Sequence, residues 1–413
     1  MLVAVAVVVG PVALTALAGD RDLGTPPPTP VGPQGSLSPF VTRLHTPVDH
    51  STPPEIAAPS AILADLDTGQ VLFAKNADQG RPIASVTKIM TALLVLGRTD
   101  PTDVVTVSDR AAPPTDVLGV SELGLEPGER IRVGDLTWAL LMQSANDAAV
   151  ALAEHVGGSV DRFVKLMNAK ARRLGMTHTR FRSPDGLDDR GHASARDLVT
   201  LTREASMDAR FATIVETKFH TVASPEGPDR ELQNRNVLLW LYPGATGVKT
   251  GYTAAARFCL VATAARDGRD LIAVVLGDAG EPFSDAASLL DYGFGAFSRH
   301  RFVTTGEGFG DIALRGGSVG VSAGEGLSAL VPIRSIVDAH RTIVVDPDAA
   351  FPPSPGEQVA VVRVTVPGRV LGSVGLIVTD VPPPASVDER PWWERASGSV
   401  VRGLSGAIEA VLG

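Results

Sequence analysis

Three short strings, set far apart along the chain, place the strongest constraint on its fold. They are S-V-T-K with Ser85 and Lys88, S-A-N with Ser144 and Asn146, and K-T-G, which begins at Lys249. Each string alone is a weak signal, because short patterns recur by chance and an isolated S-x-x-K is usually an ordinary helix start. Lysine is scarce, with six in 413 residues, and two of the six lie in these strings. If the strings act as one site, the fold must bring them together.

The first string predicts the start of a helix. Residues 89–96 continue it as an apolar helix that ends at Gly97, so Ser85 and Lys88 stand one turn apart on the same face. A serine hydroxyl is a poor nucleophile until a base takes its proton, and a lysine can do this only when it is partly neutral. Moving a lysine pKa from about 10.4 to near neutrality takes about 3 units, or ~4 kcal/mol, which burial and a second cation can supply. Lys249 is the predicted second cation.

The second string lies between two apolar helical stretches, residues 136–142 and 147–153. Ser144 and Asn146 are therefore predicted at a joint between helices, with their side chains in a cleft. There the hydroxyl can relay a proton and the amide can hold a substrate by hydrogen bonds. The alternative interpretation is local capping of backbone N–H groups.

The third string is predicted on an edge strand that leads into a hairpin of buried strands, residues 258–264 and 271–276. Gly251 keeps the face of the strand clear for a ligand backbone. Lys249 and Thr250 supply a cation and a hydroxyl for a carboxylate, and the backbone N–H groups of Ser85 and Tyr252 are the predicted oxyanion hole.

In this order the strings resemble the S-x-x-K, S-x-N and K-T-G motifs of the D-alanyl-D-alanine carboxypeptidases, low-molecular-mass penicillin-binding proteins of the S11 peptidase family. The resemblance covers residues 60–297 and extends to the segments 61–75, 183–187 and 234–239. It implies an α+β fold: a β-lactamase/transpeptidase-like domain, with an antiparallel sheet and helices on both sides, followed by a small all-β domain.

The resemblance also implies roles for the motif residues. Ser85 is the implied nucleophile and Lys88 its base, Ser144 and Asn146 form the relay, and the K-T-G segment grips the terminal carboxylate of the substrate. The implied reaction removes the terminal D-alanine from peptidoglycan stem pentapeptides through an acyl-enzyme on Ser85, and β-lactams are the implied covalent inhibitors. Two departures from the family pattern are Arg257, where glycine is usual, and residues 193–195, which replace the usual serine-threonine pair. Both are expected to affect strand packing or the rim of the cleft.

Two alternative functions are compatible with the motifs. A class A-like β-lactamase shares them, but residues 179–186, where its deacylating glutamate would fall, contain no E-x-x-x-N. A catalytically silent peptidoglycan-binding protein is the second alternative, although every motif position is filled.

Composition excludes several other classes of function. The formal net charge of −9, without an evident basic patch, argues against a nucleic-acid partner. The single cysteine, Cys259, lies in an apolar run and excludes an internal disulfide. The eight histidines are scattered and there is no H-E-x-x-H, so we expect neither a metal nor another cofactor.

The pattern along the chain predicts five segments. Residues 1–18 are a signal peptide or N-terminal anchor ending in A-L-A, 19–59 a Pro-rich disordered tether, 60–298 the carboxypeptidase domain, 299–385 the small β domain and 386–413 an amphipathic segment. The working domain is therefore expected outside the cytoplasm, in the cell envelope. Within the β domain, G-x-S-x-G at 316–320 is interpreted as a hairpin turn, because no helix pattern follows it.

The final segment predicts association with a membrane surface. Apolar side chains recur there at helical spacings: Trp393, Val400, Val401, Leu404, Ile408, Val411 and Leu412. Tryptophans suit a membrane interface, whereas Gly398, Gly403 and Gly406 weaken the helix. A frayed tail is the alternative interpretation.

Overall fold

The structure is a computed structural model that describes residues 52–112, 121–223, 228–333, 338–367 and 369–380. The chain divides between Ala296 and Phe297 into two compact units. The described helices of the first unit are α1 (Lys88–Leu96), α2 (Val133–Trp138), α3 (Asn146–Gly157), α4 (Val160–Arg173), α5 (Ala195–Ser206), α6 (Ala209–Glu216), α7 (Leu238–Leu241) and α8 (Pro282–Ala296). Its described strands are β1 (Ser60–Asp65), β2 (Val71–Lys75), β3 (Val104–Thr106), β4 (Arg130–Arg132), β5 (Phe219–Val222), β6 (Arg230–Gln233), β7 (Ala245–Thr253), β8 (Arg257–Arg266) and β9 (Arg269–Asp278).

The centre of the first unit is a five-stranded antiparallel sheet in the order β2-β1-β9-β8-β7. Consecutive residues 258–264 of β8 and 271–276 of β9 are all buried, so both faces of these strands are covered. Helix α8 packs on β8 and β9, while α5 contacts β1 and β9 and α6 contacts β7. This confirms the predicted antiparallel sheet with helices on both sides, and it leaves β7 at an edge, as predicted.

Helix α1 runs through the centre of the helical part of this unit. All of its residues except Leu93 are buried, which fits a sequence that is apolar on every side. The helices α3, α4, α5 and α6 surround it. A residue at the start of α1 is therefore held by packing from several directions, as a fixed reactive group must be.

The second unit consists of strands in the part that the structure describes: β10 (Phe297–Val303), β11 (Gly308–Leu314), β12 (Gly317–Ala323), β13 (Leu327–Pro332), β14 (His340–Val345), β15 (Gln358–Val366) and β16 (Arg369–Asp380). They form a two-stranded sheet, β10-β13, and a five-stranded sheet, β11-β12-β16-β15-β14. Val319, Val362 and Leu376 belong to its core. The predicted all-β second domain is confirmed. The G-x-S-x-G string lies at the hairpin between β11 and β12, where Leu314 pairs with Gly317, and a strand follows it.

Candidate active site

The nucleophile candidate lies on a tight turn immediately before α1. Residues Ala84–Thr87 form a 3-10 helix, in which Ser85 is half-buried while its three neighbours are buried. Side chains three residues apart eclipse one another in a 3-10 helix, so this geometry places Lys88 directly over Ser85. The Lys88 Nζ lies 2.9 Å from the Ser85 Oγ. The sequence predicted the pair on one α-helical face, and the structure forms it across the junction of two helix types.

Lys88 is fully buried and uses three hydrogen-bond acceptors. Its Nζ donates to the Ser85 Oγ, to the Asn146 Oδ1 at 2.6 Å and to the Asp185 carbonyl oxygen at 2.8 Å. Burial lowers the pKa of Lys88 to about 8, against smaller opposing effects of the Asp185 and Asp147 carboxylates. Burial and a second cation were the predicted causes. In the structure, burial is the main cause of the lowered pKa of Lys88.

Lys249 is the second buried lysine of the site. Its Nζ donates to the Thr250 carbonyl oxygen at 2.9 Å. Burial, followed by repulsion from Lys88 and from Arg235, lowers the pKa of Lys249 well below its usual value. Among the described residues neither lysine forms an ion pair with a carboxylate. A carboxylate placed beside Lys249 would therefore favour its charged form.

Ser144 and Asn146 lie at the predicted joint between helices. Residues Ala139–Gln143 form a π-helical stretch, Ser144 then adopts a left-handed conformation with φ 67°, and Asn146 begins α3. A left-handed conformation is uncommon for serine and tends to occur where the surrounding structure fixes a functional group. Asn146 reaches Lys88 through its side chain.

Strand β7 lies against the nucleophile turn. A Cβ added at Gly251 would lie 2.9 Å from the Ile83 carbonyl oxygen and 3.0 Å from the Ser85 backbone nitrogen. Only glycine fits this approach, so Gly251 admits the backbone of the turn, and the space for a ligand backbone at this residue stays a prediction. Thr250 is half-buried and Tyr252 is 41% exposed, with its ring 4.6 Å from that of Phe258. The structure thus places the K-T-G segment at the edge of the serine turn.

The segment 183–187 completes the surroundings of Lys88. Its Asp185 carbonyl oxygen is the third acceptor for the Lys88 ammonium, and the Thr91 hydroxyl donates to the Pro184 carbonyl oxygen at 2.6 Å. Gly186 has φ +88°, and a Cβ there would lie 1.9 Å from the Ala84 carbonyl oxygen. Sequence reasoning assigned these residues no role, because a backbone carbonyl has no side-chain signature. Gly186 was the one residue of this segment whose type could indicate a close approach between two stretches of backbone.

Asp147 fixes the neighbouring segment 121–125. Its buried carboxylate accepts hydrogen bonds from the backbone N–H groups of Leu123, Gly124 and Leu125 at 2.9–3.1 Å. The Asn146 N–H donates to the Ser121 carbonyl oxygen at 2.8 Å. Sequence reasoning treated Asp147 only as part of an apolar helix. The sequence signal that could have identified its role is an acidic residue at the start of an otherwise apolar helical stretch.

The two departures from the family pattern have local explanations. Arg257 has φ +59°, a left-handed conformation that glycine adopts without strain, so the arginine occupies a position suited to glycine. Ser194 is the N-cap of α5, and its Oγ accepts a hydrogen bond from the Asp197 N–H at 3.1 Å.

This architecture and this serine-lysine arrangement define a serine peptidase of the penicillin-binding class. Residues 47–280, more than half of the chain, match the family model for D-alanyl-D-alanine carboxypeptidases. The chain belongs to this family, the S11 peptidases.

Individual relatives agree with this assignment. The chain is 33% identical over 331 residues to the D-alanyl-D-alanine carboxypeptidase DacF of Bacillus subtilis, covering 76% of this chain and 83% of that protein. It is 40% identical over 251 residues to DacB2 of Mycobacterium tuberculosis, covering 58% and 84%. The crystal structure of penicillin-binding protein 5 from Haemophilus influenzae is similar with a TM-score of 0.68 and 29% identity, covering 80% of this chain and 98% of that one.

The family defines the activity and the compartment in which it is used. The protein is a serine-type D-Ala-D-Ala carboxypeptidase, a hydrolase that acts on peptidoglycan stem peptides outside the cytoplasm and binds β-lactams. None of the helices in the described ranges is long and apolar enough to cross a membrane. The described residues also contain no group of three histidine, cysteine or acidic side chains able to hold a metal ion.

Proposed function

We propose that this carboxypeptidase uses Ser85 as the nucleophile and Lys88 as the general base of acylation. The observation that carries the proposal is the 2.9 Å contact between the Lys88 Nζ and the Ser85 Oγ, inside a pocket that buries the amine completely. With a pKa of about 8, roughly a tenth of Lys88 is neutral at pH 7, compared with less than a thousandth for an exposed lysine. The neutral amine has a lone pair that can accept the serine proton.

The arrangement supports the following sequence of steps. Ser85 attacks the carbonyl carbon between the last two D-alanines, its proton passes to Lys88, and the oxyanion accepts hydrogen bonds from the N–H groups of Ser85 and Tyr252. Collapse of the tetrahedral intermediate breaks the peptide bond, and a proton reaches the D-alanine amine through the Ser144 hydroxyl. Water then attacks the acyl-enzyme with Lys88 as base and releases the shortened peptide.

Substrate orientation is assigned to the K-T-G segment and to Asn146. The charged form of Lys249 and the Thr250 hydroxyl bind the terminal carboxylate, while Gly251 lets the substrate backbone lie along β7. The Asn146 amide has donors left after its carbonyl oxygen has bound Lys88, and these can hold the acyl side of the substrate.

Two substitutions test the assignment of the nucleophile and the base. We expect Ser85→Ala to abolish both D-alanine release from a D-Ala-D-Ala peptide and covalent labelling by a fluorescent penicillin. Lys88→Ala should slow acylation by several orders of magnitude, because the hydroxyl then stays protonated. Lys165→Ala, an exposed lysine on α4, is the matched control and should label at the wild-type rate. Labelling that survives in Ser85→Ala would refute the mechanism.

We also propose that the protein is held at the membrane surface. The amphipathic segment 386–413 supports this idea by its sequence pattern, and it lies outside the described residues, as do the proposed signal segment 1–18 and most of the tether 19–59. The proposed working domains are 60–298 and 299–385. Deleting residues 391–413 should move a signal-cleaved protein from the membrane to the soluble fraction with unchanged turnover of a soluble peptide. A truncated protein that still sediments with membranes would assign the anchor to the N-terminal segment instead.

A further inference from the structure

We infer that Asp185 is a positioning residue for acylation: its turn holds the carbonyl that binds Lys88, and its carboxylate places a negative charge beside that base. The inference rests on the proposed role of Lys88. It concerns the carboxylate side chain, which the catalytic steps above do not use.

The contacts of Asp185 join its side chain to the carbonyl that Lys88 needs. The Oδ1 atom accepts hydrogen bonds from the Ser183 hydroxyl at 2.6 Å and from the Leu187 N–H at 2.9 Å. An aspartate that binds the backbone N–H two residues later closes a tight local turn. The carbonyl oxygen of the same residue accepts from the Lys88 Nζ at 2.8 Å. The side chain therefore fixes the turn that presents the carbonyl.

The turn is wedged between α1 and the serine turn. The Thr91 hydroxyl holds the Pro184 carbonyl at 2.6 Å from the α1 side. The Gly186 backbone passes so close to Ala84 that no side chain fits between them. A shift of the Asp185 turn would therefore move both the base and the nucleophile.

The carboxylate also acts on the charge of Lys88. Two other influences act on this amine: burial disfavours its charged form, and Asp147 favours it, as Asp185 does. Asp147 binds three backbone N–H groups of another segment, so replacing it would disturb that segment as well. Asp185 is the carboxylate whose charge can be removed with its shape retained, because the Oδ1 of an asparagine still accepts from the Leu187 N–H.

The experiment measures the second-order rate constant of acylation by a fluorescent penicillin from pH 5.5 to 10. The wild type should show a rate that rises with pH as Lys88 loses its proton. In Asp185→Asn the pKa of Lys88 falls further, so the midpoint should move to lower pH by about half a unit or more, which raises the rate at pH 6 about threefold. In Asp185→Ala the turn is lost as well, and we expect the rate at high pH to fall by about tenfold or more.

Two further variants separate the effect of the Asp185 charge from the effect of the position of its turn. Asp188→Asn is the matched control, because Asp188 directly follows the segment 183–187 but its carboxylate is bound by Arg190 at 2.6 Å. It should leave the midpoint and the rate unchanged. Ser183→Ala removes one donor to Asp185 and keeps the charge, so it should lower the rate at high pH without moving the midpoint, and it tests the turn even if an Asp185 variant folds poorly.

The outcomes distinguish this inference from the proposed function. A midpoint in Asp185→Asn equal to that of Asp188→Asn would overturn the electrostatic half. Wild-type rates at high pH in both Asp185→Ala and Ser183→Ala would overturn the positioning half. A wild-type rate that does not depend on pH would instead overturn Lys88 as the base, and the inference with it.

Discussion

Two buried carboxyl groups, one at the end of β9 and one in the first turn of α8, should make the stability of the first unit depend on pH in an unusual direction. The side chains of Asp278 and Asp285 are 1% and 0% exposed. The Asp285 Oδ2 accepts from the Ala58 N–H at 2.8 Å, but one oxygen of each carboxyl, Asp278 Oδ2 and Asp285 Oδ1, has no donor among the described groups. Burial first, and also the charge of Asp278, raise the pKa of Asp285 to about 6. Below about pH 6 the folded protein therefore keeps a proton on Asp285.

The magnitude follows from linkage between protonation and folding. Between about pH 4 and 6 the folded protein holds a proton on Asp285 that the unfolded chain has lost, so stability falls as the pH rises through this window. A pKa raised from 3.8 to about 6 costs ~3 kcal/mol at pH 7.5 and ~1 kcal/mol at pH 4.5. Asp285→Asn removes the ionisation, keeps an acceptor for the Ala58 N–H and adds a donor for Asp278. Its stabilisation relative to wild type should therefore be ~2 kcal/mol larger at pH 7.5 than at pH 4.5.

Urea unfolding followed by circular dichroism at the two pH values measures this difference. Asp109→Asn, at an exposed position, is the control and should change the free energy of unfolding by less than about 0.5 kcal/mol at either pH. If Asp285→Asn has the same effect at both pH values, or destabilises more at pH 7.5, then the pKa of Asp285 is not raised in the folded protein and the reasoning about the pair is wrong.

Three other predictions follow from the site. Arg257→Gly should stabilise the protein by about 1 kcal/mol or slightly less, measured by thermal unfolding, because it relieves the left-handed strain at φ +59°; a lower Tm would contradict this. Gly186→Ala should destabilise by ~2–4 kcal/mol and slow penicillin labelling at least about a hundredfold, because its Cβ would meet the Ala84 carbonyl oxygen; wild-type labelling would show that the serine turn tolerates displacement. The penicilloyl adduct on Ser85 should persist for minutes or longer in intact-mass spectra, since sequence reasoning found no dedicated glutamate for deacylation. Rapid multi-turnover penicillin hydrolysis without an adduct would favour the β-lactamase alternative.

The elements of the fold that could be predicted from the sequence are those with a local pattern of apolar residues. The continuous apolar runs of β8 and β9 predicted buried central strands, and the valine-rich runs after residue 298 predicted a second, all-β unit. The apolar residues 89–96 predicted α1 and its end at Gly97. Each of these patterns follows from the burial of the element's own side chains, so it can be recognised in the sequence of that element alone.

The parts of the site that could not be predicted depend on backbone groups brought together over long distances. Two acceptors of Lys88 belong to named motif side chains, but the third is the carbonyl of Asp185, and any residue has a carbonyl. The same holds for the N–H groups that surround Asp147 and for the left-handed turn at Ser144. Motifs identify the residues whose chemistry is specific to their type, and the fold supplies the backbone contacts that hold them.

Lys249 is buried and has no carboxylate partner in the described part of the chain, so under its proposed role the binding of an anionic ligand takes up protons. In the free enzyme the depressed pKa of this lysine favours the neutral amine as the pH rises, whereas a carboxylate bound beside it would favour the ammonium form. Under the proposed role of Lys249, each anionic ligand therefore brings a proton from solution, and affinity weakens as the pH increases. Calorimetric titration in buffers with different ionisation enthalpies would give binding heats that differ by the number of protons taken up. Under the same proposal, the binding of ligands with a terminal carboxylate depends on the acidity of the compartment outside the cytoplasm.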